Sequence, residues 1–380
     1  MTVDVVELTK NLIQRPSITP DCADVLSYVQ DLLTSYGFTC VPMNFQSTGK
    51  PEVHNLFAYK GVGYPHLCFA GHLDVVPVGN EEGWCFPPFS ATTADDKIYG
   101  RGAVDMKGAV AAFIGAALDY LPSLNAGTIS LLITGDEEGD AIDGTAPCLR
   151  QLQEMQMVPD FCIVGEPTSE NHVGDMIKNG RRGSLSGKIT VRGKQGHVAY
   201  PHRAVNPIPQ LVSFLNHLQK RHWDDGNDYF DPSNLEVTSM TADNVASNVI
   251  PHQASAQFNI RYNTQLTQDE IQSIIRRLAE ENCHDFVLDF NGSAQPFISG
   301  CPEWGVLVLQ AIIDSTGNAP RVSTTGGTSD ARFIHAYCPV IECGLTNETA
   351  HAVDEHVALQ DLHTLQNIYR QILHSLFMKP

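Results

Sequence analysis

Nowhere in its 380 residues does the chain approach the eighteen or so consecutive apolar residues of a membrane-spanning helix. Positive charge is also scarce: 24 Lys and Arg stand against 43 Asp and Glu, a formal net charge of −19. That balance argues against nucleic acid or an anionic membrane as partner. The ten cysteines include no CxxC pair, so a thiolate metal site has no support, and Cys68, Cys162 and Cys343 lie in apolar runs as small hydrophobes. Met1 to Glu7 lacks the basic and apolar regions of a secretory signal, and the expected compartment is the cytoplasm. No GxSxG elbow accompanies Ser329-Asp330, so a covalent serine route is not expected. Internal repeats and low-complexity segments are missing too. What remains is an ordinary globular composition, 42% hydrophobic and 18% charged, with length for two domains.

The residues that carry chemistry share one kind of position. His66-Leu67-Cys68-Phe69-Ala70 reads as a buried parallel strand, and it empties into Gly71-His72-Leu73-Asp74. Open α/β sheets build their sites at such carboxyl ends. Asp74 is placed to accept the second ring N–H of His72, fixing the tautomer of a metal ligand. Alone, an HxD is more often a satisfied core histidine. The pattern recurs, however. Thr128 to Thr134 is a strand that empties into Asp136-Glu137-Glu138-Gly139-Asp140, four acids within five residues. A solvated loop is the usual reason for such a run, but its place at the end of a buried strand favours a cation. Phe161 to Val164 leads to Glu166, and Val340 to Leu345 precedes Asn347 and His351. Asp105, in the glycine-rich Tyr99 to Gly108, opens a helix expected over Met106 to Leu121; it is read as an N-cap or a ligand.

Amphipathic patterns predict helices over Val3 to Arg15 and Asp21 to Tyr36, the second stopped by Gly37, and a strand follows at Asn55 to Tyr59. Past Arg182 the character changes. Leu185, Gly187, Ile189 and Val191 alternate as in a half-exposed strand; a helix is expected at Pro207 to Lys220 and strands at Leu235 to Thr241 and Ala254 to Tyr262. A helix at Gln268 to Glu281 and a strand at Asp285 to Phe290 complete the β-α-β-β-α-β order of a ferredoxin-like unit. Ligand candidates lie on both sides of it. Residues 182–294 therefore read as inserted into a discontinuous catalytic domain of 1–181 and 295–380, closed by a helix from Leu359 to Met378.

His72 in GHLD, Asp105 in GRGAVDMKG, Glu137-Glu138 in TGDEEGD, Glu166 in VGEP and His351 in the last loop together resemble the co-catalytic di-zinc amidohydrolases. That family includes aminoacylases, acetylornithine deacetylase and dipeptidases. Arg181 to Gly187, Gly196 to His202, Gly326 to Phe333 and Asn347 to His351 look most like its desuccinylase branch. The resemblance implies an α/β fold of the di-zinc exopeptidase kind, a mostly parallel sheet flanked by helices, with an inserted ferredoxin-like dimerisation or lid domain. It implies that Asp105 bridges two Zn2+ (Co2+ as substitute), with His72 and Glu166 completing one shell and Glu138 and His351 the other. Glu137 is then the general base, supported by Asp74, and His197 acts across a homodimer formed by the inserted domain. The implied substrate is a small N-acylated molecule with several carboxylates, which Arg181 and Arg261 suit as forks, helped by Tyr200, Asn248, Thr328 and Asn347. Arg182 and Arg332 read equally well as ion-pair residues. A related deacetylase or aminoacylase is the alternative; a metal binder without catalysis is disfavoured because the base Glu137 is present.

Overall fold

The structure, a computed structural model, describes residues 3–242, 244 and 246–378. Its strongest local signal is the run Gly127–Thr134, buried at every position. Lacking a polar alternation, such a strand is stable only with both faces covered. It lies between Val53–Val62, antiparallel, and His66–His72, parallel. Parallel pairing continues through Phe161–Val164 to Val340–Glu342. The full order of this eight-stranded sheet is Thr39–Phe45, Val53–Val62, Gly127–Thr134, His66–His72, Phe161–Val164, Val340–Glu342, Met176–Lys178 and Arg321–Ser323. Its parallel strands end together, and the ligand candidates follow those ends.

Helices Val5–Ile13, Lys107–Tyr120, Leu359–Phe377 and Pro302–Thr316 pack side by side in that order. Lys107–Tyr120 is buried almost all round, which its alanines and glycines permit. Gly108 is needed there: a Cβ would stand 2.5 Å from the Ala103 carbonyl. Phe69 on the sheet stacks on Phe113 at 4.5 Å, and Tyr369 meets both edge-on before donating to the Cys343 carbonyl at 2.6 Å.

The second sheet holds Asn234–Thr241, Gln253–Tyr262, Gly183–Arg192 and Phe286–Ala294 in that spatial order, antiparallel throughout. With helices Pro207–Lys220 and Gln268–Asn282 it is the ferredoxin-like arrangement that the alternation predicts. Leu185, Ile189 and Val191 face its core with Phe214, Phe258 and Ile275. Thr267 and Glu270 form a capping box at the start of the second helix.

The chain divides into two compact units: Met1–Gly180, Ile298–Ser323 and Ser329–Pro380 in one, Arg181–Phe297 and Thr324–Thr328 in the other. The inserted unit is thus larger than the expected 182–294. Its reason is local. Arg181 Nη1 donates to the carbonyls of Thr325 at 3.2 Å and Gly327 at 3.1 Å, and Thr324 Oγ1 donates to the Tyr229 carbonyl at 2.6 Å. Other corrections are small. The first helix starts at Val5 because Asp4 caps it, accepting from the Val6 and Glu7 amides. Thr39–Phe45 and Pro302–Thr316 carry no sequence expectation: the first is an exposed edge strand containing Pro42, the second mixes helical spacing with strand-favouring valines and isoleucines.

At the amino end of the buried strands, His66 Nε2 lies 2.8 Å from Ser130 Oγ, and burial, opposed by Asp160, pushes its pKa down to about 4. A histidine held neutral in the fold stabilises fully above its unfolded pKa near 6.5 and loses that contribution as pH falls through the window to 4. Wild type should therefore lose up to about 3 kcal/mol more than His66→Gln between pH 6.5 and 4. Urea unfolding at stepped pH measures this, and parallel curves for the two proteins would refute it.

Candidate metal centre

His72, at the end of its strand, is 1% exposed, and its Nδ1–H donates to the Asp74 carbonyl at 2.9 Å. That bond leaves the Nε2 lone pair free to coordinate. Around Nε2 stand Asp105 Oδ1 at 3.2 Å, Glu166 Oε1 at 3.6 Å and Glu137 Oε2 at 3.9 Å. On the other side of Asp105, Oδ2 is 3.2 Å from His351 Nε2, which is 2.9 Å from Glu138 Oε1. One carboxylate thus faces two imidazoles, and each imidazole has a further carboxylate of its own. His72 Nε2, Asp105 Oδ1 and Glu166 Oε1 are buried with no hydrogen-bond partner among the described residues. Buried polar atoms are seldom left so, and two imidazoles with carboxylates are the donor set of a borderline cation. The two sets His72, Asp105, Glu166 and Asp105, Glu138, His351 are each compact enough to hold a metal ion. A third grouping, His72 with Glu137 and Glu138, overlaps them.

Two readings of these residues are corrected by the geometry. Asp105 does not cap a helix. The helix begins at Lys107 after Met106, without a side-chain cap. The Asp74 carboxylate does not take the His72 ring N–H, which goes to the Asp74 main chain. Instead it accepts the amides of Glu137 at 3.3 Å and Glu138 at 3.0 Å, fixing the loop that carries both. Asp136, just before them in the chain, anchors the same loop from within. It accepts the amides of Asp140, Ile142 and Asp143, while Asp140 reaches outward to Lys50. Sequence reasoning missed Glu355, which is fully buried and accepts the amides of Gly102, Val104 and Asp105.

The electrostatics are those of an over-filled anionic pocket. Burial, then the neighbouring carboxylates Asp330, Glu138 and Asp105, hold Glu137 well above the usual carboxyl range, against His72. Burial and then Asp105 and Glu137 do the same to Glu166. Hydrogen bonds to Asp105 and Glu138 push His351 up to about 10. For Asp105 burial favours the neutral acid, yet the His351 and His72 rings hold it below the ordinary range. For His72 burial opposes the charge and Asp105 leads the acids that raise it.

The remaining site candidates fall as follows. Asn347 belongs to the unit with the cluster and is exposed, its amide donating to the Ser169 carbonyl at 2.9 Å. Arg181, His197, Tyr200, Asn248, Arg261 and Thr328 belong to the inserted unit. His197 is exposed, its Nδ1 accepting the Ala199 amide at 3.0 Å, with the Tyr200 ring 5.8 Å away. The Asn248 carbonyl accepts the Val198 amide at 3.1 Å. Arg261 is half-buried, and burial followed by the charge of Arg182 lowers its pKa. Arg182 Nη1 donates to Asn234 Oδ1 at 2.9 Å, so a neutral partner stands where the sequence suggests an ion pair. Arg181 Nη1 makes the two main-chain bonds already named.

Fold and cluster together define a metal-dependent amidohydrolase. The chain belongs to the peptidase family M20/M25/M40, whose profile matches residues 68–375. A succinyl-diaminopimelate desuccinylase of Parvibaculum lavamentivorans is 46% identical over 378 residues, covering 98% of this chain and 96% of its own. An M20 metallo-carboxypeptidase of Sulfolobus solfataricus superposes with a TM-score of 0.82 at 17% identity, covering 99% of each chain. A dinuclear metal-binding M20 peptidase of Bacillus subtilis gives 0.69 at 14% identity, covering 97% of this chain and 96% of that one. At those identities the superpositions speak for the fold alone.

Of the loop's two outer acids, Asp136 anchors it from within and Asp140 makes only a surface pair, and stability distinguishes them. Asp136→Ala, which strips the buried Asp143 amide and the part-buried Asp140 and Ile142 amides of their acceptor, should cost about 1–3 kcal/mol. Asp140→Ala, which removes only a solvent-screened surface pair with Lys50, should cost clearly less. Urea unfolding of the metal-free protein decides, and equal costs would contradict the assignment.

Proposed function

We propose that the chain hydrolyses N-succinyl-LL-2,6-diaminopimelate to succinate and LL-2,6-diaminopimelate, a step of lysine and diaminopimelate biosynthesis, in the cytoplasm. The observation that carries the substrate is the 46% identity over 98% of the chain to a succinyl-diaminopimelate desuccinylase. Two Zn2+ per subunit fit the donor set, with Co2+ as a substitute of the same preferences. His72, Asp105 and Glu166 would hold one ion, and Asp105, Glu138 and His351 the other. When bound, the pair supplies Lewis-acid polarisation of the scissile carbonyl and makes the attacking water more acidic.

The chain's own residues do the rest. Glu137 takes a proton from the water that adds to the succinyl carbonyl, then delivers it to the diaminopimelate nitrogen as the carbon–nitrogen bond breaks. Asp74 holds the Glu137-Glu138 backbone so that base and ligand keep their places. A chain of net charge −19 must attract a substrate with several carboxylates locally. Arg181 and Arg261 are the forks in this reading, and Tyr200, Asn248, Thr328 and Asn347 add hydrogen bonds. The inserted unit pairs with its copy in a homodimer, and the partner's copy of the exposed imidazole His197 donates to the oxyanion.

Two experiments test the substrate and the base. Zinc-loaded protein should turn over the N-succinyl substrate at least ~10²-fold faster than N-acetylated amino acids, a margin a paired carboxylate site can supply; a preference for the acetyl compounds would move the reading to an acetylornithine deacetylase or aminoacylase. Glu137→Gln should keep its metal content and lose ~10²–10⁴-fold in turnover. Near-normal turnover would remove Glu137 as the base. For the dimer, mixing inactive His197→Ala and Glu137→Gln subunits should restore activity, because one site of each heterodimer then holds both groups. Verified heterodimers that stay inactive would exclude action in trans.

A further inference from the structure

Asp105 and His351 lie 246 positions apart on segments without regular structure, yet the metal-centre reading needs them fixed to a few tenths of an ångström. Metal ligands of such precision depend on the groups around them. Asp105 sits in a turn opened by Gly102 at φ +85, and His351 itself adopts φ +61, with Asp354 at +59. For residues that carry a Cβ the left-handed region costs about 1 kcal/mol or more each, so the 351–354 turn needs an outside anchor.

That anchor is a buried ion pair. Arg101 is 2% exposed and Glu355 0%. Arg101 Nη1 donates to Glu355 Oε2 at 2.7 Å and to the Ala352 carbonyl at 3.1 Å, while Nη2 donates to the His351 carbonyl at 3.3 Å and, at the longer distance of 3.5 Å, to the Pro77 carbonyl. Glu355 fills its remaining acceptor sites on the other segment, taking the amides of Gly102 at 3.0 Å, Val104 at 2.9 Å and Asp105 at 3.1 Å. The guanidinium therefore grips the His351 turn, and the carboxylate grips the Asp105 turn. The two grips meet in one charge-assisted bond. None of these contacts reaches His72 or Glu166, which hang on strand ends.

We propose that Arg101 and Glu355 are positioning residues for the metal centre, with separable effects. The Arg101 bonds to the His351 and Ala352 carbonyls set the Glu138/His351 cation position alone. Glu355, through the Asp105 backbone, sets both. The proposal rests on the two-cation reading given above.

The test is zinc titration of the metal-free full-length protein, followed by calorimetry, with folding checked by circular dichroism. Arg101→Lys keeps the charge but cannot serve Glu355 and two carbonyls at once. It should weaken one zinc site by ~10–100-fold and leave the other within about threefold. Arg101→Gln, which can still donate to Glu355, should give the same split and serves if the lysine variant does not fold. Glu355→Gln should weaken both sites. A general loosening of the fold would weaken both sites together in every variant, and that outcome, or unchanged affinities, overturns the proposal. Wild-type protein that binds fewer than two zinc ions overturns the metal-centre reading itself, and this inference with it.

Discussion

The constraint on which the rest of this structure depends is the placement of one carboxylate, Asp105, at 3.2 Å from each of two imidazoles. Acids crowd around it: Glu137, Glu138 and Glu166 lie at the ends of buried strands, and Asp330 adds its charge from a fully buried position. In a pocket of low effective dielectric such charges repel by several kcal/mol per pair unless protons or cations relieve them. Burial first and that repulsion second raise the pKa of Glu137 and Glu166. Two divalent ions would relieve the same strain while leaving the carboxylates ionised, which ties metal affinity to pH by simple competition.

Holding so many acids together requires that only some of them face the cation positions. Asp74, Asp136 and Glu355 turn their oxygens to backbone amides, where a buried carboxylate is well satisfied and stiffens a loop. Glu137, Glu138, Asp105 and Glu166 are carried by the loops so stiffened. The same chemical group thus serves as scaffold in one place and as ligand or base in the next, according to whether N–H groups or open space surround it. Lys107, buried beside them, is likewise committed to scaffold: its Nζ donates to the carbonyls of Leu12 and Arg15, tying the end of the first helix to the start of the central one.

The sequence made much of this legible. Strand ends that terminate in His72, Glu137-Glu138 and Glu166 stand out because a buried strand is a continuous apolar run and the polar residue after it breaks the pattern. Alternation in 185–191 and helical spacing in 207–220 mark the inserted unit for the same reason. What stays hidden is long-range. Glu355 looks like an exposed turn acid, since its partners are about 250 positions away. Segment 324–328 looks like a loop of the catalytic unit until Arg181 is seen to hold it. The Asp74 carboxylate reads as the partner of the nearest donor, the His72 ring, yet its partners are amides some sixty residues on. Local periodicity reports which face is buried; it says nothing about which distant amide a buried acid will find.

Anomalous diffraction at the zinc edge from zinc-loaded crystals tests the central claim most directly. Two peaks should flank the Asp105 carboxylate, roughly 3.5–4 Å apart as in other two-metal sites, one beside His72 and Glu166 and the other beside Glu138 and His351. A single peak, or two peaks that share no oxygen pair of Asp105, would contradict it.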